Sequence, residues 1–133
     1  MRVEFLIPGS VPSVANLREH WRTRHARSQR QRGQAGVITM QHVGLTLSAD
    51  LQAFGGVVTL TRVAPRRLDS DNLASACKGL RDGIADALGV DDGDERLEWR
   101  YAQEKCKRGE QAVRVVVEGA ALASAKVALK DAE

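Results

Sequence analysis

The sequence predicts an α/β (α+β) fold, a single domain in which a small mixed sheet of about four strands packs against helices. Three observations predict it. Val3, Phe5 and Ile7 alternate with Arg2, Glu4 and Leu6, and short alternating or Val-rich runs recur at residues 57–63, 97–105 and 112–118. Between the second and third of these runs, Leu73, Cys77, Leu80, Ile84 and Leu88 are spaced by four, three, four and four residues, the period of a helix. The 133 residues fit one domain of ordinary size. A chain of that length buries roughly two-thirds of its unfolded surface, so it needs no disulfides to hold a core.

Taken in order, residues 2–8 form a first strand that Pro8-Gly9 ends. Pro12 and Ser13 continue a loop, and Asn16 suits the N-cap of a helix beginning near Leu17. From Leu17 to about Gln34 the chain is polar and basic, with Trp21 as its largest apolar residue. It reads as an exposed helix or a mobile arm, weakened by Gly33 and Gly36. Val37, Ile38, Met40, Val43, Leu45 and Leu47 predict a further helix over residues 37–51, ending at Gly55-Gly56 and interrupted in pattern by Gly44. Val57 to Val63 is a second strand, helped by Thr59 and Thr61. Ala64-Pro65-Arg66-Arg67 leads out of it, Asp69 or Ser70 caps the next helix, and Gly89 ends that helix. After a loop at 90–94, Leu97, Trp99 and Tyr101 alternate in a third strand running to Lys105. Lys107-Arg108-Gly109-Glu110 reads as a hairpin turn into a fourth strand, Ala112 to Glu118. Residues 1–118 make the domain, and the Ala- and Lys-rich residues 119–133 a helical or frayed tail. Helices are expected mainly on one face of the sheet.

Net charge is only +3, but it is unevenly spread. Arg18, Arg22, Arg24, Arg27, Arg30 and Arg32 share a stretch with the single acid Glu19, while the acids concentrate between Asp69 and Glu98. A basic segment ahead of an acidic centre suits an anionic polymer handled at a metal site. Arginine forks match phosphate geometry, and the six arginines are expected to contact DNA, although a charge run is ordinarily just a solvated face. Cys77 and Cys106 stand in no CxxC or Cys/His pattern, which predicts reduced thiols in the cytoplasm and no structural zinc. Met1 to Phe5 show no signal-peptide character, and no apolar run approaches the ~20 residues that span a bilayer, so a soluble, intracellular protein without a membrane partner is expected. His20, His25 and His42 lack ligand spacing and are not expected to act as bases. Trp21 is expected to anchor a core or interface, and Trp99 and Tyr101 to be sheet residues rather than base-stacking platforms. No Walker or dinucleotide glycine motif is present, which excludes an organic nucleotide cofactor of those classes, and the Asp91–Glu95 loop fails the EF-hand pattern.

The chemistry is expected around Arg66-Arg67-Leu68-Asp69-Ser70-Asp71-Asn72-Leu73 and the Asp91-Asp92 pair that follows. Asp69 and Asp71 lie two apart at a strand-to-helix junction, where both side chains can point the same way. Two adjacent carboxylates repel and gain from a shared hard cation such as Mg²⁺. Such an ion polarises a phosphodiester oxygen and activates water. A third carboxylate from Asp91 or Asp92 would complete the ligands. Lys78 lies seven residues past Asp71, about two helical turns, on the face of Ser75 and Asp82. Its charge suits stabilisation of a crowded phosphorane-like state, and Lys105 is a second candidate for that role or for phosphate contact. The plainer reading of the first-turn acids is capping and helix-dipole stabilisation.

Asp69-x-Asp71-Asn72-Leu73, Lys78-x-x-x-Asp82, Asp91-Asp92, the opening Ile7-Pro8-Gly9-Ser10-Val11-Pro12 and the Arg-rich segment together resemble the RusA-type Holliday junction resolvases, over about residues 3–118. The resemblance implies a RusA-like, homodimeric endodeoxyribonuclease that cuts branched DNA with Mg²⁺ or Mn²⁺ in recombination and repair. It implies Asp69, Asp71 and Asp92 as the acids at the metal, Asp91 supporting or replacing Asp92, and Lys78 as the transition-state cation. Arg66 and Arg67 would join the arginine segment on DNA. The family's lysine position falls on Ser75 here, and Lys78 lies about 60° around and ~4.5 Å along the helix from it. That shift leaves two other readings open: a junction-binding protein with weak or no turnover, and a metal nuclease for another structured nucleic acid.

Overall fold

The computed structural model describes residues 1–12 and 20–120. Its elements are β1 (Arg2–Pro8), α1 (Trp21–His42), α2 (Leu45–Phe54), β2 (Gly56–Ala64), α3 (Ser70–Ala76), α4 (Lys78–Leu88), β3 (Leu97–Lys105) and β4 (Ala112–Gly119). The strands form one mixed sheet in the order β1-β4-β2-β3. β1 and β2 both pair antiparallel with β4, and β2 pairs parallel with β3. The expected class, a four-stranded mixed sheet packed against helices, is the observed one.

Alternation along the strands decides which face is covered. Phe5 and Ile7, Val58 and Leu60, and Val113, Val115 and Val117 are buried in one cluster with Ala35, Leu47, Leu51, Leu73, Leu80, Ile84 and Leu88 from the helices. Their neighbours on the other face carry charge: Glu4 and Glu104 pair with Arg114, and Arg2 pairs with Glu118. The helices therefore lie against one face, and solvated ion pairs lace the other. Arg114 holds the Glu104 carboxyl below the usual carboxylate range through its hydrogen bond and charge.

Four expectations change. The turn at 107–110 forms, with the Glu110 N–H donating to the Lys107 carbonyl at 3.1 Å, but it does not close a hairpin. β2 lies between β3 and β4. The reason is composition. β4 buries three valines and pairs on both sides, whereas β3 carries Glu98, Arg100, Glu104 and Lys105, which suit an edge strand. The helix expected over 37–51 is instead two. Val43 closes α1 through its N–H to the Thr39 carbonyl (2.8 Å), and Gly44 becomes the N-cap of α2. The long helix after Asp69 breaks at Cys77, whose φ of −88° and ψ of 0° let its N–H serve both the Leu73 and Ser75 carbonyls. Finally, Trp21 is 64% exposed and anchors no core; its ring carries the Arg22 guanidinium at 5.4 Å. Asn16, Leu17 and Arg18 lie outside the described residues. Within them, His20 is the N-cap of α1, its Nδ1 accepting from the Arg22 N–H at 3.2 Å.

α1 is long and polar, burying only Ala35 and Thr39. Its hold on the domain is close backbone contact with α4. A Cβ at Gly83 would run into the Arg32 carbonyl and meet the Ala35 Cβ at 3.0 Å. One at Gly79 would sit 2.8 Å from Gln31 Oε1. Glycine at these two positions gives up helix propensity so that α1 can lie directly on α4.

Gly83→Ala is expected to destabilise the fold by ~1–3 kcal/mol, because overpacking outweighs the gain in propensity. Gly33→Ala, with nothing within 4 Å of its new methyl, is expected to stabilise by ~0.5–1 kcal/mol. Denaturant unfolding of both variants checks the pair, and equal effects would remove the contact argument. A second expectation concerns Cys77, where burial pushes the thiol from 9.0 up to about 11 against the pull of the Arg62 charge. The folded thiol keeps its proton where the unfolded one loses it. The associated stability is complete below 9.0 and lost as pH rises through about 11. Wild type should lose roughly 2–3 kcal/mol more than Cys77→Ala across that window.

Candidate functional site

α4 has three uses. Leu80, Ile84 and Leu88 enter the core, Gly79 and Gly83 meet α1, and the polar residues that remain are Lys78, Arg81, Asp82 and Asp86. Gly89, at φ 69° and ψ 31°, caps the helix in the left-handed conformation. The Val90 N–H returns to the Ala85 carbonyl at 3.1 Å, which sends the acidic loop back along the helix. Asp91 folds that loop tightly, its Oδ1 accepting from the Gly93 N–H at 2.9 Å.

Arg81 fastens the loop to the sheet. Its Nη2 donates to the Asp92 carbonyl at 2.7 Å, and its Nη1 to the Tyr101 hydroxyl at 3.2 Å. The guanidinium lies 4.8 Å from the centroid of the Trp99 ring. Its Nε is buried without a hydrogen bond, and the Asp92 Oδ2 stands 3.8 Å away. Strand β3 thus supplies an aromatic shelf and a hydroxyl, α4 a cation, and the loop a carbonyl and a carboxylate. Neither Arg81 nor the role of Tyr101 was expected from the sequence. Only the four-residue step from Cys77 to Arg81, which puts the arginine beside the apolar stripe, marks it as half-buried.

Three clefts meet at Lys78. One, of about 380 Å³, is lined by Ala74, Ser75, Lys78, Arg81, Asp92 and Tyr101. A second, of about 330 Å³, brings Asp82, Asp86, Asp91 and Asp92 around Lys78 and Arg32. The third, of about 160 Å³, is basic and includes Arg24, Arg27, Gln31, Ser75 and Lys78. In the acidic cleft, Arg32 grips Asp86 with Nε and Nη2 at 2.6 and 3.0 Å. That hydrogen bond holds the Asp86 carboxyl below its usual range, although solvent screens the pair.

The expected site residues are only partly gathered. Lys78, Asp91 and Asp92 share the acidic cleft, and Arg24 and Arg27 join Lys78 on its basic side. Asp69 is the N-cap of α3 with no side-chain capping bond, and Asp71 sits in that helix's first turn. Both are exposed and line none of the three clefts. Asp71 lies one turn before Ser75, which does line two of them. The loop carrying Asp69 is clipped to β3 by Gln103, whose amide accepts from the Leu68 N–H and donates to the Leu68 carbonyl, each at 2.8 Å. Arg22 is occupied with Trp21, Arg32 with Asp86, and Arg30, Arg66, Arg67 and Lys105 are exposed. Arg18 lies outside the described residues.

The donors offered to a metal are all carboxylate oxygens, the chemistry Mg²⁺ or Mn²⁺ prefers. Their placement does not yet fit one ion. Among the described residues no three His, Cys, Asp or Glu side chains converge closely enough to ligate together. No helix among those residues is long and apolar enough to cross a membrane.

In comparisons with known proteins, no protein-family model matches the chain, and no solved structure matches it. It is 38% identical over 81 residues to an uncharacterized protein of Xylella fastidiosa (strain Temecula1 / ATCC 700964), a match covering 58% of this chain and 51% of that protein. The chain therefore spans about half the length of the curated relative it matches.

Proposed function

We propose that the chain is a metal-dependent endodeoxyribonuclease for branched DNA, of the kind the RusA resemblance implies, acting as a homodimer with Mg²⁺ or Mn²⁺. The observation that carries this reading is the position of Lys78, where the arginine-lined cleft and the two clefts containing Asp92 meet. A DNA backbone following Arg24 and Arg27 would bring a phosphate to Lys78 beside acids. Lys78 would hold the non-bridging oxygens of that phosphate as negative charge builds. Arg81 would act on the substrate only through Asp92, by fixing the backbone that carries it. A bound cation would supply a polarised phosphoryl oxygen and an activated water. Asp71 and Asp92, with Asp69 and Asp91 beside them, are the residues proposed to serve it. Because those carboxylates do not converge, no step is assigned to the ion's geometry.

A second reading, a junction-binding protein without turnover, is favoured by how the acids are occupied. Asp86 is neutralised by Arg32, and Asp92 faces Arg81.

Incubation of a labelled four-way junction and a matched linear duplex in Mg²⁺, Mn²⁺ and EDTA separates the two readings. The nuclease reading expects metal-dependent, symmetrically paired nicks on the junction alone, with Asp71→Asn and Asp92→Asn each at least ~100-fold slower and still binding. Tight binding without cutting establishes the second reading; no binding rejects both. For the phosphate path, the slope of log K against log salt should shrink by about 0.9 in Lys78→Ala. An unchanged slope would take Lys78 off the path.

A further inference from the structure

Among the described residues, Arg62 is a buried cation with no ion-pair partner. It lies on β2, 8% exposed, on the covered side of the sheet where its charge reaches Cys77. Its Nε donates to the Val11 carbonyl at 2.9 Å and its Nη1 to the Arg66 carbonyl at 2.6 Å. These bonds tie the loop after β1 to the loop after β2. They satisfy donors but leave the charge uncompensated, and burying an unpaired guanidinium is costly. Arg32, Arg96, Arg100 and Arg114, by contrast, each pair with a carboxylate. Among the described residues, no ion pair involves Arg62, Arg66 or Arg108.

These three arginines line one cavity of about 210 Å³, together with Ser10, Gln111 and the wall made by Ala64 and Pro65. No carboxylate among the described residues lines it. It shares no residue with the three clefts around Lys78. Its parts are held from different directions. Arg62 is fixed by the two carbonyls, Arg108 sits on the turn that the Glu110–Lys107 hydrogen bond closes, and the Gly9 N–H bonds the Gln111 carbonyl at 3.1 Å. We propose that this cavity is a phosphate-binding site, in which the guanidinium groups of Arg62, Arg66 and Arg108 receive the oxygens of a phosphoryl group and Ser10 and Gln111 offer neutral hydrogen-bonding groups. Three arginines lining one small cavity suit a tetrahedral oxyanion better than a single carboxylate, which one fork already saturates. The anion site stands on this geometry alone. That the phosphate is one of a DNA backbone, held away from the cleavage cleft, rests on the proposed function.

The test uses the full chain, labelled with ¹⁵N, and inorganic phosphate at constant ionic strength with chloride as the balancing anion. The arginine Nε–H signal of Arg62 and the amide of Gly109 are expected to shift saturably. Arg108→Gln should weaken that binding about tenfold, the loss of one charge-assisted contact. Lys107→Gln removes the same charge from the neighbouring position, outside the cavity lining, and should leave binding within about twofold, because only a screened long-range attraction and no direct contact is lost. An unsaturable drift, or equal weakening by Lys107→Gln and Arg108→Gln, overturns the site, since either result means diffuse attraction of anions. Titration with the four-way junction then identifies the source. Movement of the Arg62 signal by DNA, weakened in Arg108→Gln, assigns the site to a backbone phosphate. Saturable phosphate binding with an unmoved Arg62 signal on DNA keeps the anion site and assigns it to a free phosphoryl group, whatever the junction-cleavage result.

Discussion

Pairing β2 with β3 in parallel commits this chain to carrying its backbone from one end of the sheet to the other before the second strand can begin. The return is made by α3 and α4, and nearly everything else follows from where that return lies. Its apolar stripe supplies Leu73, Leu80, Ile84 and Leu88 to the core. Its glycines make the seat on which the polar α1 rests. Its start receives the loop with Asp69, and its end turns at Gly89 into the loop with Asp91 and Asp92. A single crossover therefore brings a basic helix, a lysine and an acidic loop to one side of the sheet.

Within that arrangement, Arg81 and Gln103 do for the loops that carry Asp92 and Asp69 what regular secondary structure cannot. Loops have few backbone partners of their own, so their positions depend on side chains reaching to them. Gln103 gives both of its amide groups to Leu68, and Arg81 bonds Asp92 and Tyr101 while resting on Trp99. Strand β3 thus has a double use: its outward residues keep an edge strand charged, and its inward residues hold the loops that carry the candidate chemistry.

Much of the fold was legible because it is local. The alternation at Val3, Phe5 and Ile7 and the stripe from Leu73 to Leu88 each reflect one element burying one face. The sequence did not reveal what depends on partners distant in the chain. Val37 to Leu47 looks like one amphipathic run, yet Val43 closes one helix and Gly44 opens the next. Residues 107–110 read as a hairpin because the strands adjoin in sequence, whereas β2 takes the place between them. Lys78, Asp91 and Asp92 could be picked out by motif and do share a cleft. Asp69 and Asp71 could be picked out equally well and do not join them there. Arg62 and Arg81 carry no such mark, since an isolated arginine in a strand or helix gives no sign in sequence of being buried.

The partition of α4 into three faces has a consequence for how such a protein can vary. Leu80, Ile84 and Leu88 are constrained by volume, and Gly79 and Gly83 by the absence of any side chain, so neither set can exchange roles with the third. Chemical novelty along this helix falls to positions 78, 81, 82 and 86, which line two clefts that meet at Lys78. A polar group lost from one of them can be replaced only from another of the same row, one turn along. Drift of function along α4 is therefore quantised by the helical repeat, in steps of one turn.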